Sequence, residues 1–118
     1  MKKGKGEKGK KVMKIYIAGK ITGLSGEEAE ANFIWAEMLI EKAGHTPLNP
    51  LKLVDQAEGR SYMAYLLDAL RIVDEQAEAI YFLPNWHDSW GAVKELAFAK
   101  HEGLPVYFAG DELPKAED

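Results

Sequence analysis

Lys14-Ile15-Tyr16-Ile17-Ala18-Gly19-Lys20-Ile21-Thr22-Gly23-Leu24-Ser25-Gly26 passes from a short apolar stretch into a glycine-rich loop. Ile15 to Ala18 reads as a strand buried on both faces, since a strand with one face in water would alternate apolar with polar residues. The loop Gly19 to Gly26 then leads into a helix that starts near Gly26 to Glu28, where acidic residues complement the positive end of its dipole, and stops at Gly44. Phe33, Ala36, Ile40 and Ala43 form its apolar stripe.

The same pattern repeats outward. Thr46 to Leu48, Ala79 to Leu83 and Pro105 to Phe108 are further short apolar runs with the character of buried strands. A second helix begins near Ser61 and carries Met63, Leu66, Leu67, Leu70 and Val73 on its stripe, with Asp68 to one side. A third begins at Ser89, with Ala92, Val93, Leu96 and Ala99 as its buried positions, and ends before Gly103. Strands alternating with helices predict an α/β domain, a parallel sheet covered on both faces in three layers. Right-handed crossovers favour the flavodoxin-like, Rossmann-like strand order 2-1-3-4, with the first and third strands adjacent at the switch point where ligands bind. The loops leaving those strands, Gly19 to Gly26 and Pro84 to Ser89, are the expected site walls.

A chain of 118 residues with 47% hydrophobic composition suits one domain, expected over residues 13–110 between a basic disordered tail at 1–12 and a short C-terminal tail at 111–118. Residues 1–11 hold six lysines against Glu7, leaving 9 basic and 18 acidic residues, a net −9, on the rest. Such a body repels nucleic-acid polymers. The tail is either a tether for nucleic acid or an anionic membrane, or a solubilising extension. The absence of cysteine excludes disulfides and thiolate metal sites. No apolar run approaches the roughly 20 residues that span a bilayer, so the expectation is a cytoplasmic protein without a membrane partner. His45, His87 and His101 lack mutual metal-ligand spacing, and neither a metal nor another cofactor is expected.

The glycine-rich loop matches neither the P-loop nor the dinucleotide fingerprint, because Ile21 stands where a P-loop needs Ser or Thr. Gly19, Lys20, Ile21 and Gly23 form either a close backbone approach to a ligand, with Lys20 meeting an anion, or a plain turn. Ser89 is a good N-cap, and the amides of the helix it opens face the switch-point crevice, where an anion is favoured. Glu95 lies four residues after Gly91, and helical side chains lean toward the N-terminus, so its carboxylate projects over the space that Gly91 leaves. A carboxylate there can attack an anomeric carbon, or it can be a solvated glutamate paired with Lys94 or His101. Tyr16 faces away from Ile15 and Ile17, to bond Glu95 or to pack on a helix; Asp68 is a second acid or a solvated helix flank. Trp86 and Trp90 stack on a base or cover the sheet edge.

Together Lys14 to Gly23, Asn32-Phe33, Asn49-Pro50, Asp68, Pro84-Asn85-Trp86 and Ser89-x-Gly91-x-x-x-Glu95-x-x-x-Ala99 resemble the nucleoside 2-deoxyribosyltransferase superfamily, in particular its small bacterial and phage branch. The resemblance covers Lys14 to Phe108 and implies Glu95 as nucleophile, Tyr16 as its orienting partner and Asp68 as the acid near the base. Ser89 stands where transferases acting on free nucleosides carry an acid, whereas enzymes similar to deoxynucleoside 5′-monophosphate N-glycosidases carry serine. The expected ligand is therefore a nucleoside or nucleotide small molecule, held by Gly19, Lys20, Ile21, Gly23, Trp86, Ser89 and Gly91. The expected function is N-glycosidic cleavage or base exchange; a module that binds the nucleotide without turnover is the alternative.

The second helix carries apolar or aromatic residues at Tyr62, Met63, Tyr65, Leu66, Leu67 and Leu70, a band wider than one core-facing stripe needs. A homodimer or higher symmetric oligomer, with Tyr62 and Tyr65 near the contact, is the expectation.

Overall fold

The computed structural model describes residues 11–56 and 59–117; the basic tail expected at 1–12 lies outside them except for its last two residues. Four strands, β1 (Lys14–Ala18), β2 (Thr46–Leu48), β3 (Ala79–Phe82) and β4 (Val106–Phe108), form one sheet of order β2-β1-β3-β4, every neighbouring pair parallel. This is the flavodoxin-like order expected from the alternation of runs. The register Tyr16 to Ile80 and Ala18 to Phe82 sets β1 beside β3 at the centre.

Strand periodicity divides the core in two. Ile15, Ile17, Ala79, Tyr81 and Leu83 face α1 (Gly26–Lys42) and its buried Phe33, Ala36 and Ile40. Tyr16, Ala18, Ile80 and Phe82 face the other way, onto Ala69 and Val73 of α3 (Tyr62–Gln76) and Ala92 and Ala99 of α4 (Trp90–Glu102). A residue added to or removed from β1 would exchange these two sets.

The helix starts follow the capping residues read from the sequence. Ser25, Ser61 and Ser89 each accept a bond from the third amide beyond them, at Glu28, Ala64 and Ala92. Gly103 ends α4 in the left-handed conformation that glycine adopts without a Cβ penalty. Two short elements are additional: α2 (Pro50–Leu53), capped by the Asn49 side chain, and a 3₁₀ turn at Trp86–Asp88.

Two buried stripes differ from expectation. In α3 the buried positions are Leu66, Ala69 and Val73, while Met63 and Leu67 are exposed. In α4 they are Gly91, Ala92, Glu95 and Ala99, while Val93 is exposed. The row 91-95-99 lies on one side of a helix. Hydrophobicity alone favours Val93 over Glu95; the tertiary contact with β1 reverses that choice.

Residues 111–117, expected as a tail, run back along the turn between α1 and β2. Ala116 N–H donates to the Ala43 carbonyl at 2.8 Å, and Leu113 packs on the α1 side of the core. No helix among the described residues is long and apolar enough to cross a membrane.

Candidate active site

The carboxyl ends of β1 and β3 open onto a cavity of about 720 Å³. The lining includes the start of the β1–α1 loop, Gly19 to Thr22, and Tyr62 and Tyr65 of α3 with its cap Ser61 and with Asp55, Gln56 and Arg60 of the preceding loop. Ser89 to Ala92 and Glu95 supply the α4 side. The two switch-point loops are fastened together, since Lys20 N–H donates to Asn85 Oδ1 at 3.1 Å. Gly19 permits this closure, because a Cβ there would collide with the Leu83 side chain at the end of β3.

Glu95 lies in the cavity wall with only 5% of its surface exposed, and Tyr16 Oη donates to its Oε2 at 2.6 Å. Burial pushes the Glu95 carboxyl up to about 7 from an ordinary 4.5, because a charge is costly where water is excluded; the Tyr16 hydrogen bond opposes that rise. Burial also drives the Tyr16 phenol well above its ordinary value, reinforced by the nearby Glu95 charge, so Tyr16 remains the donor at neutral pH. The solvated alternative for Glu95 does not hold. Lys94 sits over the Trp90 ring, 5.0 Å from its centroid, and His101 contacts Glu102.

The space left by Gly91 is occupied by the Tyr62 hydroxyl, and a Cβ at that position would overlap it. The Gly91 backbone hydrogen-bonds the same hydroxyl, and Ala92 N–H donates to Ser89 Oγ at 3.1 Å. Two groups of the first turn of α4 are thus already engaged. Lys20 and the Ser89 hydroxyl, both on the cavity wall, are the better candidates to meet an anion.

Of the residues singled out in the sequence, the cavity gathers Tyr16, Gly19, Lys20, Ile21, Ser89, Gly91 and Glu95. Three lie elsewhere. Asp68 of α3 is half-buried outside the cavity lining, and its Oδ2 accepts from Arg60, a cavity residue, at 2.6 Å. Trp86 packs on Phe82 and on Phe108 of the edge strand, with ring centroids 5.7 and 5.4 Å away, so it covers the sheet edge. Gly23 makes the turn, at a φ of 92°. Trp90 stands at the rim, its ring 5.4 Å from that of Tyr62.

Composition and spacing did not point to Gln56, Arg60, Tyr62 or Tyr65 as cavity residues. Tyr62 and Tyr65 carried a signal, an aromatic pair at i and i+3 beyond what the core stripe needs. The loop residues carried none.

A family model described as a domain of unknown function, DUF4406, matches residues 13–108, which include every strand and helix of the sheet domain. The chain belongs to the DUF4406 family. No curated protein gives a significant match. Among solved structures, this DUF4406 chain is similar to the 2-deoxyribosyltransferase of the psychrotolerant bacterium Bacillus psychrosaccharolyticus, with a TM-score of 0.60 and 23% identity over 80% of this chain and 70% of that one. At that identity the likeness establishes a shared fold.

Proposed function

We propose that the cavity binds a deoxynucleoside 5′-monophosphate and that Glu95 attacks the anomeric carbon of its sugar, cleaving the N-glycosidic bond or exchanging the base. The observation that carries this reading is the buried Glu95–Tyr16 pair on the wall of a cavity of about 720 Å³, large enough for a nucleotide. Tyr16 holds Oε2, and Oε1 is the oxygen that attacks. As Oε1 bonds to C1′, the C1′–N bond breaks and its electron pair leaves with the base, which takes up a proton. Solvent supplies that proton. Water, losing a proton, or a second base then displaces Glu95 from the sugar ester, as in retaining glycosidases. Burial aids the first step, because a neutral ester replaces a poorly solvated charge. Lys20 and Ser89 hold the phosphate, so a monophosphate binds more tightly than its nucleoside.

The test is base release from a panel of deoxynucleoside monophosphates. Glu95→Gln is expected to abolish release, a loss of at least ~1000-fold, while remaining folded; undiminished turnover in a folded variant overturns the mechanism. One observation favours a second reading, binding without turnover: Asp68, the acid that the family resemblance implies near the base, lies outside the cavity. Binding by calorimetry with no base release from any member of the panel would select it.

A further inference from the structure

Tyr65 is the single described residue with a buried side-chain polar atom that lacks a hydrogen-bond partner in the protein. Its ring lines the same cavity as Glu95, and it shares the inward side of α3 with Leu66 and Ala69. Gln56 lies beside this hydroxyl and acts on it, but its amide nitrogen already donates to the carbonyls of Pro50 and Val54, at 3.2 and 2.8 Å. Burial pushes the phenol up to about 12, so at neutral pH it is an intact O–H, able both to donate and to accept. Tyr16, Tyr62 and Tyr65 line one cavity with Glu95, whose charge acts on each phenol.

A hydroxyl without a protein partner is costly in a packed core, and phenylalanine would fill the same volume without that cost. On a cavity wall the same hydroxyl has a use, which is to discriminate among ligands by the polar group they present. Tyr16 is consumed by Glu95 and Tyr62 by the backbone of Gly91, so Tyr65 is the phenol left for the ligand. We infer that Tyr65 is a specificity-determining residue whose hydroxyl bonds a hydroxyl of the ligand's sugar. The inference rests on the reading that the cavity takes a nucleotide with C1′ against Glu95. That pose sets the pentose, rather than the base or the phosphate, between Glu95 and Tyr65.

The experiment pairs Tyr65→Phe with three ligands of one base, the ribo-, 2′-deoxyribo- and 2′,3′-dideoxyribonucleoside 5′-monophosphates, with Kd read by calorimetry and Tm by scanning calorimetry. The wild-type protein is expected to bind at least one hydroxyl-bearing nucleotide about 10-fold more tightly than the dideoxy form, the effect of roughly one hydrogen bond. In Tyr65→Phe that preference is expected to fall to within about 2-fold, through weaker binding of the hydroxyl-bearing ligand, with a Tm equal to or above that of the wild type because no protein hydrogen bond is lost. Undiminished discrimination in Tyr65→Phe overturns the inference and leaves the nucleotide reading standing. So does a marked fall in Tm, which would show that the hydroxyl serves the fold. No binding of any of the three by the wild-type protein overturns the nucleotide reading and this inference with it.

Discussion

At the scale of single residues, Glu95 combines a requirement for ionisation with a site that resists it. Its carboxyl titrates at about 7 in the folded chain, against 4.5 in the open. A carboxyl raised in this way favours the fold when protonated. That contribution is fully present below about pH 4.5 and is lost as pH rises through about 7, on the order of 3 kcal/mol in all. Glu95→Gln, which cannot ionise, should therefore raise Tm more at pH 8 than at pH 5; thermal scans at the two pH values check this, and an equal shift at both contradicts it. Attack requires the carboxylate, so kcat/KM should climb with pH around 7. Tyr16→Phe removes the donor that opposes the rise, so this limb should move to higher pH in the rate profile. An unmoved limb would mean that Tyr16 does not set the charge state of Glu95.

Among the elements, the segment at residues 111–117 is held by His45, whose role is structural. His45, buried at the start of β2, accepts from Met13 N–H through Nδ1 at 3.0 Å, and its Nε2 lies 2.6 Å from the Pro114 carbonyl. Because Met13 N–H can only donate, Nδ1 is unprotonated and Nε2 carries the hydrogen given to Pro114. One neutral ring thus ties the start of β1 to the segment after β4. His45→Ala orphans both backbone groups and should cost roughly 2–4 kcal/mol, with faster proteolysis near residues 111–117. A Tm within about 2 °C of wild type would refute this role, since a loss of that size should shift Tm by several times as much.

For the molecule as a whole, the exposed apolar surface bears on assembly. Met63 and Leu67 of α3 are 51% and 55% exposed, and Trp90 and Val93 of the neighbouring α4 are exposed as well. Tyr65 lines the cavity, and Tyr62, 42% exposed, remains with Met63 and Leu67 as the apolar surface of α3 near the contact we propose. We propose a homodimer or higher symmetric oligomer through this surface at about 10 µM, a range in which a standard-sized contact holds. Light scattering should give at least twice the chain mass, and Leu67→Glu should give a monomer while Met38→Glu on α1 leaves the oligomer intact. A monomeric wild-type protein ends the proposal.

The sequence by itself determined the layer architecture and the main chain of the site. Continuous apolar strands can only be buried on both faces, glycine and serine mark loop and cap positions by local geometry, and chirality limits the crossovers, so the order 2-1-3-4 and the loops at Gly19 and Ser89 were legible. Local pattern also set Tyr16 on the side of β1 opposite Ile15 and Ile17. It did not determine which α4 residue enters the core, because Val93 and Glu95 both lie near the buried stripe and hydrophobicity favours the wrong one. Only the meeting of β1 with α4, 79 positions apart in the chain, gives Glu95 its hydrogen bond and so makes its burial tolerable. The same holds for Asp68, which pairs with Arg60 instead of lining the cavity, and for Tyr62 and Tyr65, which line it. Side chains at the boundary of a helix stripe gain or lose little from their own helix, and the neighbouring elements decide which way they face.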